Sequence, residues 1–288
     1  MGYRTLLVNA HSKLAYQNNH LVFKSAAGSE MIHLSEIDVL ILETMDITIT
    51  SMLIKRLIDE KIVVLFCDDK RLPQSMLLDL YGRYDNSKQI RKQIQWEERK
   101  KDEAWLQVID QKIKNQTSLL MELDMVEKAD RLYELGKKIA VGDPSNVEAH
   151  VARIYFNALF GNQFTRNDPT PLNAGLNYGY SLILALFSRE IVLNGCLTQL
   201  GMMHTNQFNR YNLASDLMEP FRPLIDTIVY DNREESFKVM KRQLLTIFEN
   251  NYIYRGQSMY LTNIISDYVR RIIRFLDGDS EELPSFLI

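Results

Sequence analysis

Over the first eighty or so positions, apolar residues come in short runs broken by turn residues, the pattern of strands rather than of helices. Residues 4–9, Arg-Thr-Leu-Leu-Val-Asn, form one such run. Residues 20–24, His-Leu-Val-Phe-Lys, form another, bounded by Asn18-Asn19 and Ala26-Ala27-Gly28 in a hairpin-like arrangement. Residues 31–34 and 37–42 follow at short spacing. The period then turns helical over 48–60, where Ile49, Met52, Leu53, Leu57 and Ile58 can share a face. Residues 61–67, Lys-Ile-Val-Val-Leu-Phe-Cys, are the strongest strand and end at Asp68-Asp69. One helix among several short strands predicts a small β-rich domain.

Beyond about residue 85 the spacing is helical. The pattern predicts helices over 89–123, 126–139, 147–160, 176–193, 213–230, 237–250 and 258–276, with breaks at 142–144, 161–162, 168–171, 195, 201, 231–232 and 256. The expected fold is therefore α+β: a β-rich domain over 1–84 and a larger all-α domain over 85–288. Residues 277–282, Asp-Gly-Asp-Ser-Glu-Glu, are expected to be a loose acidic tail.

The composition changes this picture little. With 46% hydrophobic and 25% charged residues, disorder and collagen-like repeats are excluded. The two cysteines, Cys67 and Cys196, sit among apolar neighbours, so a reducing cytoplasm is expected rather than a disulfide framework. The N-terminal residues lack the pattern of a signal peptide. The uncharged stretches 169–188 and 191–209 are interrupted by Pro, Gly and Asn, and read as buried helices rather than membrane spans. Thirty-four basic residues against 37 acidic ones leave a net charge of -3, which gives no general attraction to nucleic acid, so any such role must rest on a local site.

Three places could carry chemistry. Ser145-Asn-Val-Glu148 fits a capping box, with Ser145 as N-cap, and also places Glu148 on the first turn of a buried helix where it could face a metal. His204 ends the uncharged stretch Cys196-Leu-Thr-Gln-Leu-Gly-Met-Met-His204 and reads either as a core histidine or as a ligand. Asp216, Glu219, Arg222 and Asp226 fall at helical spacing among Leu217, Met218, Phe221, Leu224 and Ile225. Pro220 and Pro223 there require a kinked or late-starting helix. Such carboxylates with a histidine suit a hard divalent ion, Mg²⁺ or Mn²⁺. The segment 172–181 adds Asn173, Asn177, Tyr178 and Tyr180, either as buried amides and phenols of a helix or as donors to a phosphate or a metal-bound carboxylate. The cluster Lys88, Arg91, Lys92, Arg99, Lys100 and Lys101 around Trp96 could track a nucleic-acid backbone or be a solvated helix face.

Taken in order, Glu148-Ala-His-Val-Ala-Arg153, Pro171-Leu-Asn-Ala-Gly-Leu-Asn-Tyr-Gly-Tyr-Ser181, Gly201-Met-Met-His204 and Asp216-Leu-Met-Glu-Pro-Phe-Arg-Pro223 with Asp226 closely resemble the CRISPR adaptation integrase family (CRISPR-associated protein one). The β-then-α layout matches too, and the local wording is most similar to the type II form. The resemblance implies a DNA integrase in which the 3'-hydroxyl of a captured fragment attacks a phosphodiester of a CRISPR repeat. By motif, Glu148, His204 and Glu219 would hold Mg²⁺ or Mn²⁺, with Asp216 a second carboxylate close by. Many members carry aspartate at the position of Glu219, so either acid could be the direct ligand. Asn173, Asn177, Tyr178, Arg222 and Asp226 would support the site or contact DNA. It further implies a homodimer joined through the β domain, a bridging small partner (CRISPR-associated protein two), further type II adaptation proteins, double-stranded DNA as substrate and no membrane. Two rivals share these residues: a metal-dependent nuclease that uses water in place of the 3'-hydroxyl, and a non-catalytic DNA-binding subunit in which the acids are caps and ion pairs.

Overall fold

The computed structural model describes Gly2, residues 4–143 and residues 145–288. Tyr3, at the start of the expected strand region, and Pro144, in the expected break, lie outside them. The N-terminal half runs β1 (Arg4–Val8), β2 (Ser12–Gln17), β3 (His20–Ser25), β4 (Gly28–His33), β5 (Ile37–Leu42), β6 (Ile47–Ile49), α1 (Ser51–Asp59), β7 (Val63–Cys67) and β8 (Pro73–Leu77). Two four-stranded sheets result, ordered β1-β5-β7-β8 and β4-β3-β2-β6. Asn18 and Asn19, at φ 46° and 62°, make the two-residue turn that pairs Gln17 with His20. A left-handed pair is the turn whose twist matches a hairpin, and asparagine tolerates it.

β5 shows why a nearly continuous apolar run is needed, Asp38 being its one polar residue. It is parallel to both β1 and β7 and buried along its whole length. Ile37, Leu40 and Leu42 enter a small core with Leu53 and Leu57 of α1, whereas Val39 and Ile41 enter the large core of the helical half. A strand covered on both faces cannot alternate apolar with polar.

The second half comprises α2 (Asn86–Ile94), α3 (Glu98–Glu122), α4 (Val126–Gly136), α5 (Val147–Phe160), α6 (Pro171–Leu193), α7 (Asn212–Leu217), a 3₁₀ turn (Glu219–Phe221), α8 (Arg222–Asp231), α9 (Phe237–Leu244), a hairpin of β9 (Asn251–Tyr254) and β10 (Gln257–Tyr260), and α10 (Leu261–Leu276). The α+β order is as expected from the pattern. The hairpin stands where helix ends were read. Arg255 and Gly256, both at positive φ, form its turn, so Gly256 reverses a strand instead of stopping a helix. Thr170 caps α6 by accepting from the Asn173 N–H, and Pro171 opens it, so this helix starts five residues before the expected 176.

Buried ion pairs join the halves. Arg189 of α6 reaches Asp38 of β5 at 3.0 Å, and Lys241 of α9 pairs with Glu43 at the end of β5. Breaking one would leave an uncompensated buried charge, so the β sheet and the helices hold one arrangement.

Two further expectations are corrected. Residues 89–123 are not one helix: Gln95, Trp96 and Glu97 separate α2 from α3. The Trp96 indole donates to Asp277 at 2.8 Å, and the Gln89 amide donates to the same carboxylate. Asp277 is thereby an anchor, and the tail is not loose. Gln111 and Asn115 of α3 hold the backbone of Pro284, Phe286 and Ile288, and the Phe286 ring stacks on Phe221 at 4.1 Å. The basic cluster is likewise partly consumed internally, with Lys92 on Asp279 and Lys100 buried against the Phe275 carbonyl.

Candidate active site

Glu148 is positioned by α5, whose start differs from the expected capping box. Asp143, not Ser145, caps the helix: its two carboxylate oxygens accept from the N–H groups of Val147 and Glu148 at 2.8 and 2.9 Å. Asn146 takes a left-handed conformation, φ 51°, to make the approach. With the cap supplied from further upstream, the Glu148 side chain is free for other work. Its Oε1 lies 2.8 Å from the ammonium of Lys112 on α3.

Glu219 approaches the same ammonium from the other side. Pro220 sits inside the 3₁₀ turn and Pro223 in the first turn of α8, positions where a missing N–H costs nothing. The break between α7 and α8 turns Glu219 inward. Its Oε2 lies 2.7 Å from Lys112 Nζ, and its Oε1 lies 3.0 Å from Arg222 Nη2. Burial opposes ionisation of Glu219, but Arg222 and Lys112 outweigh it and hold the carboxyl below its ordinary range. Burial likewise disfavours the Lys112 charge, and Glu219 and Glu148 overcome it.

His204 is built by a loop and held by α7. Fully buried Asp216 accepts from the N–H groups of Met202, Met203 and His204 at 2.6, 3.2 and 3.1 Å, and meets His204 Nδ1 at 2.5 Å. That carboxylate is therefore spent on orienting the loop and the ring. With Nδ1 engaged, Nε2 is the nitrogen left for a ligand, the arrangement in which a carboxylate sets the tautomer of a metal-binding histidine. The hydrogen bond to Asp216 raises the His204 pKa above its usual value, against the effect of partial burial. The ring packs edge-on to Trp105 and opens onto a cavity of about 430 Å³ lined by amides that include Gln93, Gln199, Asn206 and Asn212.

Gly201 permits this approach. A Cβ there would stand 2.4 Å from the His204 carbonyl oxygen and 2.7 Å from Asp216 Oδ2. Gly201→Ala is expected to displace the Asp216–His204 pair, costing about 1–3 kcal/mol of stability. Activity should fall by at least about tenfold, the loss typical when a residue orienting a ligand is disturbed. Thermal melting beside an activity assay checks both.

The remaining sequence candidates divide. Asp226 is buried, accepts from Tyr155 and Tyr180, and has its pKa pushed up to about 6 by burial, which those hydrogen bonds only partly offset. Arg222 stacks on the Tyr180 ring at 4.9 Å, so Asp226 and Tyr180 brace the arginine that holds Glu219. Asn173 and Asn177 both accept from Arg166, and Asn173 also donates to the carbonyls of Thr165 and Asp168. These amides order the loop before α6 and do not reach Glu148 or Glu219. Tyr178 lies at the junction with the β half, beside Phe237 and Lys241.

Lys112, Tyr155 and Arg166 escaped sequence reading. One signal for Lys112 was available, since it falls three and four residues after Ile109 and Val108 on the apolar face of α3. The other two become significant only through partners distant in sequence.

A divalent ion fits the chemistry of this set, although among the described residues no three His, Cys, Asp or Glu side chains stand ready-grouped around one cation position. Glu148 and Glu219 converge on a single cation, the Lys112 ammonium. Glu219 Oε2 is buried without an aligned hydrogen bond, so its contact with that charge is Coulombic. Two carboxylate oxygens and an imidazole nitrogen are hard-to-intermediate donors of the kind Mg²⁺ and Mn²⁺ take.

Comparison with known proteins defines the class first. The fold is that of a casposase solved bound to its integration product, with TM-score 0.79, 20% identity and coverage of 98% of this chain and 92% of that one. It is also that of a much longer chain in a Cas6-RT-Cas1–Cas2 complex, with TM-score 0.76, 17% identity and coverage of 98% and 36%. A CRISPR-associated endonuclease Cas1 from Neisseria meningitidis serogroup C (strain 8013) is 37% identical over 230 residues, 80% of this chain and 75% of that one. The class is that of enzymes named as CRISPR-associated endonucleases. The family model for CRISPR associated protein Cas1 matches residues 6–238, and the chain belongs to the Cas1 family.

Proposed function

We propose that this protein is a spacer-acquisition integrase of the type II form, joining the 3'-hydroxyl ends of captured double-stranded DNA into the repeat of a CRISPR array by metal-dependent transesterification. The observation that carries the reading is the convergence of Glu148 and Glu219 on one cation, together with a histidine whose Nδ1 is already engaged by Asp216 and whose charge is felt by Glu219. Glu148, His204 and Glu219 would hold Mg²⁺ or Mn²⁺, which when bound would align the nucleophile and offset charge on the phosphate. Asp216 keeps the imidazole in the tautomer that presents Nε2. Arg222 holds one oxygen of Glu219, leaving the other turned inward. In the joining step the 3'-oxygen forms a new bond to phosphorus, the bond from phosphorus to the target strand's own 3'-oxygen breaks, and that oxygen leaves. The number of phosphodiesters is conserved. Water in place of the 3'-hydroxyl would make the same site an endonuclease.

The likeness to a chain in a complex named with Cas2 supports CRISPR-associated protein two as a partner. A homodimer through the β half and further type II adaptation proteins complete the proposed assembly. No helix among the described residues is long and apolar enough to cross a membrane. The direct test incubates the protein and its small partner with an end-labelled duplex and a supercoiled plasmid carrying a repeat, in Mn²⁺, Mg²⁺ or EDTA. Label is expected to enter the plasmid only with metal. Nicking without transfer would assign a nuclease, and DNA binding with no reaction would assign an assembly subunit.

A further inference from the structure

The geometry points to Lys112 as an internal counter-cation that a divalent metal must displace, so that ammonium and metal are alternative occupants of the space between Glu148 and Glu219. The inference rests on the reading that these two residues are metal ligands, and adds what happens when the metal arrives.

Three observations carry it. First, Lys112 Nζ lies 2.8 Å from Glu148 and 2.7 Å from Glu219, so it stands where a cation bridging the two carboxylates would stand. Second, the two carboxylates already have two cationic partners. Two carboxylates face Lys112 and Arg222, and adding a dication with both basic groups in place would leave a large positive excess in a buried site. At short range and low dielectric that repulsion outweighs what two extra ligand contacts return.

Third, the two basic groups are not equally free to leave. The Arg222 guanidinium is gripped by Glu219 Oε1 on one side and the Tyr180 ring on the other. Lys112 is a point charge on a flexible stem, held by one hydrogen bond to Glu148 and an ion pair with Glu219, and among the described residues no ring packs over it. Its other partner, Glu148, is one-third exposed, which gives the ammonium a way out toward solvent.

The metal-free protein is then held together by Lys112, and its affinity for metal is lower than the ligands alone would give. The test is Mn²⁺ binding to the metal-stripped full chain without DNA, read from the free-ion electron paramagnetic resonance signal. Wild type, Lys112→Met and Lys112→Met with Glu219→Gln are compared. Lys112→Met is expected to melt at a lower temperature without metal and to bind Mn²⁺ at least about tenfold more tightly than wild type. The added Glu219→Gln should remove that gain. Equal or weaker binding by Lys112→Met, with wild type still binding, would overturn the displacement while leaving the metal site standing. No binding by either would overturn both.

A second measurement uses wild type alone and does not depend on how the variant folds. Acylation of Lys112 by an amine-reactive reagent, followed by mass spectrometry, should rise several-fold when Mn²⁺ is added. Unchanged labelling at saturating Mn²⁺ would overturn the proposal.

Discussion

Alanine in place of His204 is expected to leave the fold intact and to lower strand joining by at least about a thousandfold, the several kcal/mol that a metal's charge stabilisation supplies to such a transition state. The two halves of this expectation have separate physical origins. The His204 side chain is 41% exposed, and Asp216 retains three backbone N–H donors when the ring is gone. The loss of stability should therefore stay near 1 kcal/mol, that of one charge-assisted hydrogen bond and an edge contact with Trp105. Activity has no such reserve, because in the proposed site His204 is the one imidazole ligand, and Asp216 orients it. Joined product per unit time, measured beside a thermal melt, separates the effects. Joining that survives in a folded His204→Ala protein would remove the histidine from the chemistry and return it to a structural role.

Asp216→Ala should show the opposite balance, with the larger loss in stability. Four donors converge on this one fully buried carboxylate: three successive N–H groups and His204 Nδ1. Removing it strands them together in a protein interior, at a cost of roughly 3–5 kcal/mol. Denaturant unfolding should show a midpoint well below that of His204→Ala. The difference from wild type should also depend on pH. The Asp216 hydrogen bond raises the His204 pKa, so this pair stabilises the metal-free protein fully below the ordinary imidazole value, and the contribution is lost as pH rises through the higher folded value. Wild type and Asp216→Ala should therefore lie furthest apart in mild acid and draw closer in mild alkali. A gap independent of pH would mean that the backbone N–H groups alone account for the stabilisation.

These two outcomes also separate the enzyme from a subunit that only binds DNA. In a binding subunit both substitutions act through folding alone, and His204→Ala would be nearly silent.

Local pattern along the chain was enough to read the α+β order, the β5 and β7 strands, the helix from Val147 to Phe160, and the proline-broken passage from Asp216 to Asp226. The reason is that periods of two and 3.6 residues, and the conformational limits of proline and asparagine, act over a few positions whatever the rest of the chain does. The proposed chemical set Glu148, His204 and Glu219 was also nameable from sequence, through the ordered motifs that carry the family resemblance. Which member does what was not. Asp216 and Glu219 are equivalent carboxylates in sequence, three residues apart; only packing makes one an acceptor for the loop at Met202 to His204 and turns the other toward Lys112.

The misreadings have the same source. Trp96 breaks a long helical pattern because Asp277, 181 residues away, takes its indole N–H, and the acidic tail is held by that contact and by Phe286 on Phe221. Asp143 caps α5 ahead of Ser145 because the turn before the helix folds back far enough to offer both oxygens. Lys112 reads as one more lysine in a charged helix until Glu148, 36 residues on, and Glu219 close around it. Spacing determines which residues share a face; only the packed structure decides which faces meet, since buried charges must find partners and those partners come from distant parts of the chain.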